Sequence, residues 1–239
     1  MALLDGAGRV ALITGANRGI GHAIAEALYA RGYALSLGMR RPDEAASRFA
    51  HMDPARVHRH RFVAEDWEGQ ARWVEAAVAR FGRIDVLVNN AGITSRATVR
   101  TATEADCDAI WAVNCKAPLR MAQLCLPHLE RSGQGRIVTI ASLSGKRVRN
   151  DHVLYTMSKF AVVALTHSLR RIGWESGVRA VAICPSFVRT DMTADATAIA
   201  REAMTDPADL AELVATVIAL PNNASVAELL VNCRLEDMV

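Results

Sequence analysis

Short, unbroken apolar runs that alternate with amphipathic stretches of helical length leave this chain few ways to fold. The runs occupy residues 10–14, 34–38, 84–89, 136–140, 179–184 and 227–231. Most are apolar at consecutive positions and not at every second one, which is how strands buried on both faces of a parallel sheet read. Between them, apolar residues recur at helical spacing over residues 20–31, 66–81, 103–132 with a break near Pro118, 153–175 and 207–220. Gly32 and Gly82 stand just past two of these helices, where a left-handed cap is wanted. Pro118 and Pro207 stand near helix starts, where a missing N–H costs nothing. Alternating strands and helices require right-handed crossovers between parallel strands. The expected fold is therefore α/β, a doubly wound parallel sheet of about seven strands with helices on both faces, in a single domain over residues 1–239.

With 239 residues, 51% of them hydrophobic and 22% charged, the chain is long enough to hold a core by packing alone. Twenty-eight Lys and Arg against 25 Asp and Glu leave a net charge of +3, and no basic run is interleaved with the sparse aromatics. No nucleic-acid partner is expected. Five cysteines, odd in number and without a Cys-x-x-Cys pair, argue against a disulfide framework or a zinc site and point to a reducing, cytoplasmic setting. Residues 1–9 hold no apolar signal core, and no window approaches about 18 consecutive apolar residues, so neither export nor a membrane is expected. His51, His58 and His60 crowd one region, but Arg56, Arg59 and Arg61 beside them would repel a divalent cation, so no metal site is expected. Trp67, Trp73, Trp111 and Trp174 read as packing residues.

The first run leads into Thr14-Gly15-Ala16-Asn17-Arg18-Gly19-Ile20-Gly21 and then a helix. Glycines let the backbone turn tightly and approach a pyrophosphate, and the helix start offers unpaired N–H groups and the positive end of the dipole. This is the strand-turn-helix context of a Rossmann-type dinucleotide site. In folds that bind NAD, an acidic residue about 20 positions on takes the adenosine ribose. Here the count falls on Met39, followed by Arg40 and Arg41, with Arg18 in the loop itself. Guanidiniums without a carboxylate suit a 2′-phosphate, so NADP is expected in preference to NAD.

Asn89-Asn90-Ala91-Gly92 closes another strand, Ser142 follows the next, and Tyr155-Thr156-Met157-Ser158-Lys159 opens a helix. Tyr155 and Lys159 lie one turn apart on one helix face. A fixed cation beside a phenol favours the ionised form and brings a pKa of about 10 toward neutrality. Such a tyrosine is a general acid for the alkoxide that forms when a carbonyl accepts hydride, and a serine hydroxyl orients the same oxygen.

From about Val10 to Thr190 the chain resembles the short-chain dehydrogenase/reductase family, in its shorter branch. The Thr-Gly-x-x-x-Gly-x-Gly loop, the Asn-Asn-Ala-Gly turn, the serine and the Tyr-x-x-x-Lys pair occur in the family's order, with the family's interval between Ser142 and Tyr155. The resemblance implies a catalytic set of Ser142, Tyr155, Lys159 and Asn114, the last holding a water that links the lysine to solvent. Together with Arg40 and Arg41, it implies a cofactor site of Gly15, Asn17, Arg18, Gly19, Ile20, Gly21, Asn90, Ala91, Gly92, Tyr155, Lys159, Pro185, Val188 and Thr190. A homodimer or homotetramer is expected with it.

The chain departs from the family pattern in three places. Pro185-Ser186 stands where Pro-Gly is usual, and Val63-Ala64 stands where an Asp-Val would touch adenine, leaving Asp66 as a helix cap or a displaced substitute. Residues 231–239 lack the Asp-Gly-Gly ending common among family tetramers. Leu143, Ser144, Val153, Phe187 and Met192 are expected walls of the substrate pocket. Lys146, Arg147, Arg149, Asp151 and His152 form a mostly basic insert, read either as solvated loop charges or as a lure for an acidic substrate. Residues 190–206 are either a plain surface segment or a lid over that pocket. The expected activity is hydride transfer between NADP(H) and a small carbonyl or alcohol, in the manner of a ketone or aldehyde reductase. The alternatives are a non-catalytic NADP-binding regulator of the same fold and an NAD-dependent alcohol dehydrogenase.

Overall fold

The computed structural model describes residues 3–236, so the ends of the N-terminal and C-terminal stretches discussed above (Met1, Ala2 and Asp237 to Val239) lie outside the described residues. Seven strands, β1 (Val10–Thr14), β2 (Ala34–Met39), β3 (Val57–Arg61), β4 (Val86–Asn89), β5 (Arg136–Ile140), β6 (Arg179–Pro185) and β7 (Glu228–Val231), form one sheet in the order β3-β2-β1-β4-β5-β6-β7. All pairings are parallel. The helices are α1 (Gly19–Ala30), α2 (Trp67–Phe81), α3 (Glu104–Trp111), α4 (Ala117–Arg131), α5 (Val153–Ile172) and α6 (Pro207–Ala219). The architecture is the doubly wound sheet that the alternating runs predict.

The continuous apolar runs are explained by two cores. Ala11 and Ile13 of β1, Val86 and Val88 of β4 and Val138 of β5 point to one face, against Ile24 and Leu28 of α1 and Leu210, Val214 and Ile218 of α6. Val10, Leu12, Leu87 and Ile137 point to the other, against Trp73 of α2 and Met121, Cys125 and Leu129 of α4. Neither face of the central strands meets water, so neither set of alternate positions needs to be polar. Trp73 is fully buried; its indole N–H donates to Ser36 Oγ at 2.9 Å, and Gly38 makes room, since a Cβ there would lie 2.5 Å from the ring. Trp174 instead stacks against Arg179 and Arg170 at the surface.

Two elements differ from the pattern read in the sequence. Val57-His58-Arg59-His60-Arg61 has no apolar run and was not among the expected strands, yet it forms β3. As an edge strand with one neighbour it is partly solvated, and charge there discourages pairing with another chain. Its two histidines stay together, with His58 and His60 edge to face at 5.7 Å between ring centres and His58 Nδ1 3.0 Å from Ser36 Oγ, while His51, outside the strand, has its Nε2 3.0 Å from Glu26. The second difference is that the helical stretch over 103–132 does not break at Pro118, which is accommodated in the first turn of α4. It passes through a π turn, Ala112–Lys116, between α3 and α4. Gly82 does cap α2 with φ of 76°, its N–H donating to Val78 O. No helix among the described residues is long and apolar enough to cross a membrane.

Candidate active site

β1 and β4 are adjacent, and the strand order runs outward from them in both directions. At their carboxyl ends the crossovers part, and a cleft opens. Its volume is about 370 Å³. Gly15, Asn17, Arg18, Gly19 and Ile20 line it from the glycine loop, and Asn90, Ala91 and Gly92 from the end of β4. Gly15 and Gly19 hold φ of 69° and 56°, conformations that exclude most side chains. Gly21 does not line the cleft; a Cβ there would lie 2.4 Å from Asn90 Nδ2 and 2.5 Å from Gly15 O, so it is glycine for packing within the loop. No side chain caps the start of α1, which leaves its first N–H groups available to an anion.

Thr14 joins these two segments, although nothing in the sequence singled it out from its motif. Its Oγ1 donates to Val88 O at 3.3 Å and accepts from the N–H groups of Asn90 and Ala91 at 2.9 and 3.0 Å. Asn90 Nδ2 donates in turn to Thr14 O at 2.8 Å. Asn89 donates to Pro118 O and so steadies the start of α4.

The three arginines are not equivalent. Arg40 lines the cleft and makes no ion pair among the described residues. Arg18 lines it too, paired with Asp191 at 2.9 Å. Arg41, expected in the cofactor site, does not line the cleft: it points along the surface to Glu44 at 3.2 Å. Asp66 caps α2 by accepting from Gly69 N at 2.7 Å, and the acidic residue that lines the cleft near Phe62 and Ala64 is Glu65, which sequence reasoning passed over.

Ser142, Tyr155 and Lys159 meet in the cleft. Ser142 follows β5 with extended backbone, and its Oγ accepts from Ser144 N at 3.1 Å. Tyr155 and Lys159 sit in the first turns of α5, with Lys159 Nζ 5.5 Å from the centre of the tyrosine ring. Burial pushes the phenol above its ordinary value, and a hydrogen bond with Ser142 pulls it the other way. The lowering expected from Lys159 is not found: the influence that opposes burial is Ser142, and the net shift is upward. The ammonium is itself pushed down to about 8, chiefly by burial, and it donates to Ile140 O at 3.0 Å. Asn114, presented by the π turn, accepts from Ile93 N and donates to Ile93 O, both at 2.9 Å, and donates to Ser158 Oγ at 3.0 Å. Both its amide hydrogens are used, and it ties the loop after β4 to α5.

Pro185, Ser186, Val188, Thr190 and Met192 complete the wall. Among the described residues none other than glycine has positive φ, so Ser186 stands in for glycine without strain, and its buried Oγ has no hydrogen-bond partner among them. Of the other expected pocket residues, Leu143 is buried in a small core with Val162 and Cys184, and Ser144 supports Ser142 from behind. Val153 N–H donates to Ala97 O, and the Phe187 ring lies under Arg234. None of these four lines the cleft. The basic insert is spent on partners contributed by the end of the chain: Lys146 pairs with Glu228 at 2.8 Å, and Arg147 and Arg149 pair with Glu236 at 2.8 and 2.6 Å. Residues 190–206 carry two 3₁₀ turns, and Val188 bridges Thr205 at their base.

Comparison with known proteins fits this geometry. A family profile described as short chain dehydrogenase matches residues 9–200. "Agropine synthesis reductase" of Rhizobium rhizogenes is 46% identical over 234 residues, which are 96% of this chain and 53% of that protein; the chain thus spans about half the length of this relative. A short chain dehydrogenase from Burkholderia cenocepacia J2315, solved in complex with NADP, superposes with a TM-score of 0.87 at 29% identity, covering 96% of this chain and 98% of that one. A 3-ketoacyl-(acyl-carrier-protein) reductase from Brucella melitensis, complexed with NADH, gives a TM-score of 0.87 at 26% identity over 95% and 98%. With its sheet order, glycine loop and serine, tyrosine and lysine in one cleft, this chain belongs to the short-chain dehydrogenase/reductase family.

Proposed function

We propose that the protein transfers hydride between NADP(H) and a small carbonyl or alcohol, acting as a ketone or aldehyde reductase. The reading rests on one observation: Ser142, Tyr155 and Lys159 line the same cleft as the glycine loop that leads into the uncapped start of α1. The residues fit a dinucleotide, because that helix start lacks a capping side chain and Ser186 keeps a buried hydroxyl without a partner in the cleft wall. When bound, the nicotinamide supplies or accepts the hydride. Ser142 donates to the carbonyl oxygen and holds it. Tyr155 delivers its phenolic proton to the alkoxide as it forms, or removes it in the reverse direction. Lys159, a buried ammonium with no carboxylate beside it among the described residues, would hold ribose hydroxyls and favours the phenolate once proton transfer has occurred. Asn114 supports the relay by fixing the loop that borders Lys159.

Met39 at the end of β2, where an acid would favour NAD, and the unpaired Arg40 support NADP. Among the solved relatives one is complexed with NADP and another with NADH. Fluorescence titration is the test of cofactor: tighter NADPH than NADH binding is expected, and the reverse order would sink the assignment. Turnover is tested with a panel of ketones, keto acids, keto esters and aldehydes, following NADPH absorbance. Binding of NADPH without turnover anywhere in the panel would favour the non-catalytic regulator. We further propose a cytoplasmic homodimer or homotetramer; the exposed Met157, Phe160 and Ile172 of α5 support association.

A further inference from the structure

Beyond β7 the chain turns back onto Phe187, Ala198, Arg147 and Arg149. Arg234 Nη1 donates to Ala198 O at 2.9 Å, within residues 190–206, and its guanidinium lies 5.7 Å from the Phe187 ring centre. Two residues on, Glu236 Oε2 accepts from Arg147 Nε and Nη2 at 3.1 and 2.8 Å and from Arg149 Nη1 at 2.6 Å. Arg147 and Arg149 lie between Ser142 and Tyr155. The same short tail therefore touches both the segment between Ser142 and Tyr155 and the one that begins with Thr190 and Met192, all four of which line the cleft.

The contacts at Glu236 are not those of a solvated surface pair. Its side chain is 2% exposed and that of Arg147 is 8% exposed, so removal of either leaves a buried charge without its match. The turn after Ser142 is stiff, with Gly145 N–H donating to Ser142 O and Arg147 N–H to Leu143 O. These bonds connect Arg147 to the serine through one turn. One polar pair is left open: Arg234 Nε and Glu236 Oε1 lie 3.8 Å apart, and each lacks a hydrogen-bond partner among the described residues.

We propose that residues 234–236 are a strap holding the two walls of the substrate site at a set separation, with Glu236 the positioning residue for Ser142 and Arg234 that for residues 190–206. The inference rests on the reductase reading for its kinetic consequence but not for its structural one. Hydrogen exchange on the whole protein tests the structural part. Glu236→Gln should speed exchange over residues 143–152 by about tenfold more than it speeds exchange over β1 and α1, while Arg234→Ala should show such a local excess only over residues 190–206. In turnover, Glu236→Gln should lower kcat/KM for the carbonyl by about tenfold or more, leave the Kd for NADPH within about twofold, and be largely rescued by Glu236→Asp, since a carbonyl misplaced by about 1 Å is costly. Unchanged exchange over 143–152, a uniform rise across the whole protein, or faster exchange with unchanged kcat/KM would each overturn the strap. Absence of turnover in the wild type would count against the reductase reading alone, and exchange would then decide the strap.

Discussion

Tyr155 and Lys159 stand in a neighbourhood that disfavours both of their charged forms. The phenol is pushed up and the ammonium is pushed down to about 8, in each case mainly by burial. Tyr155 is therefore protonated at neutral pH, the state a general acid requires. Tyr155→Phe should lower turnover by about 10²- to 10⁴-fold with little change in NADPH affinity, measured by steady-state kinetics and fluorescence titration. Lys159 titrates lower in the fold than in the unfolded chain, so the unfolded state binds more protons between about 8 and the ordinary 10.5, and stability rises with pH through that window. Below it the buried ammonium is a liability. Lys159→Met should raise the melting temperature at neutral pH while abolishing turnover; a lower melting temperature would show that the Ile140 hydrogen bond outweighs the burial. For the cofactor, Arg40→Ala should weaken NADPH binding by about tenfold and leave NADH nearly unaffected, because a guanidinium on a phosphate makes charge-assisted bonds that a free ribose hydroxyl does not.

At the scale of elements, the site depends on how closely the turn after β5 approaches α5. Gly145 is the point of contact: a Cβ there would lie 2.6 Å from the carbonyl oxygen of Lys159, which is helix backbone and does not yield. Gly145→Ala should destabilise the protein by about 1–3 kcal/mol in urea unfolding and also reduce turnover, since it drives Ser142 from Tyr155. The π turn at Ala112–Lys116 works in the same way, carrying Asn114 to the loop after β4. Helical periodicity over 103–132 was plain in the sequence, but the phase shift of about 100° that one inserted residue causes reads simply as a break, and nearby Pro118 offered a ready reason for one, so the π turn was not. β3 was missed for a different reason: an edge strand has no second neighbour to bury it, so Val57-His58-Arg59-His60-Arg61 carries no apolar run.

Across the whole molecule, charges far apart in sequence join the last described residues to the segment after β5 and to α5. Burial alone would raise the Glu236 carboxyl, but hydrogen bonds and charge from Arg147 and Arg149 outweigh it and hold the group below the ordinary glutamate value. At Glu228 burial is likewise outweighed, by Lys146 and His167. A carboxyl lowered in the fold contributes stability that is present above the unfolded value and lost as pH falls through the folded one. The C-terminal attachments should therefore loosen in the acid range below the ordinary glutamate value of 4.5. Calorimetry should find Glu236→Gln less stable than wild type at neutral pH, with the gap closing as the pH is taken well below that value. A gap of constant size would deny the ion pairs their part in stability.

What depends on neighbours along the chain was determined by the sequence itself. Strand and helix alternation, glycine caps, the glycine loop and the Tyr155–Lys159 spacing are local properties of backbone conformation and periodicity, and the fold followed from them. Tertiary structure alone decided which charges are free. Lys146, Arg147 and Arg149 read as a basic loop because Glu228 and Glu236, which neutralise them, arrive from the far end of the chain. Arg40 and Arg41 are adjacent and alike in sequence, yet one lines the cleft and the other turns to Glu44. Coulomb energy depends on distance in space, and no reading of spacing along the chain supplies that distance.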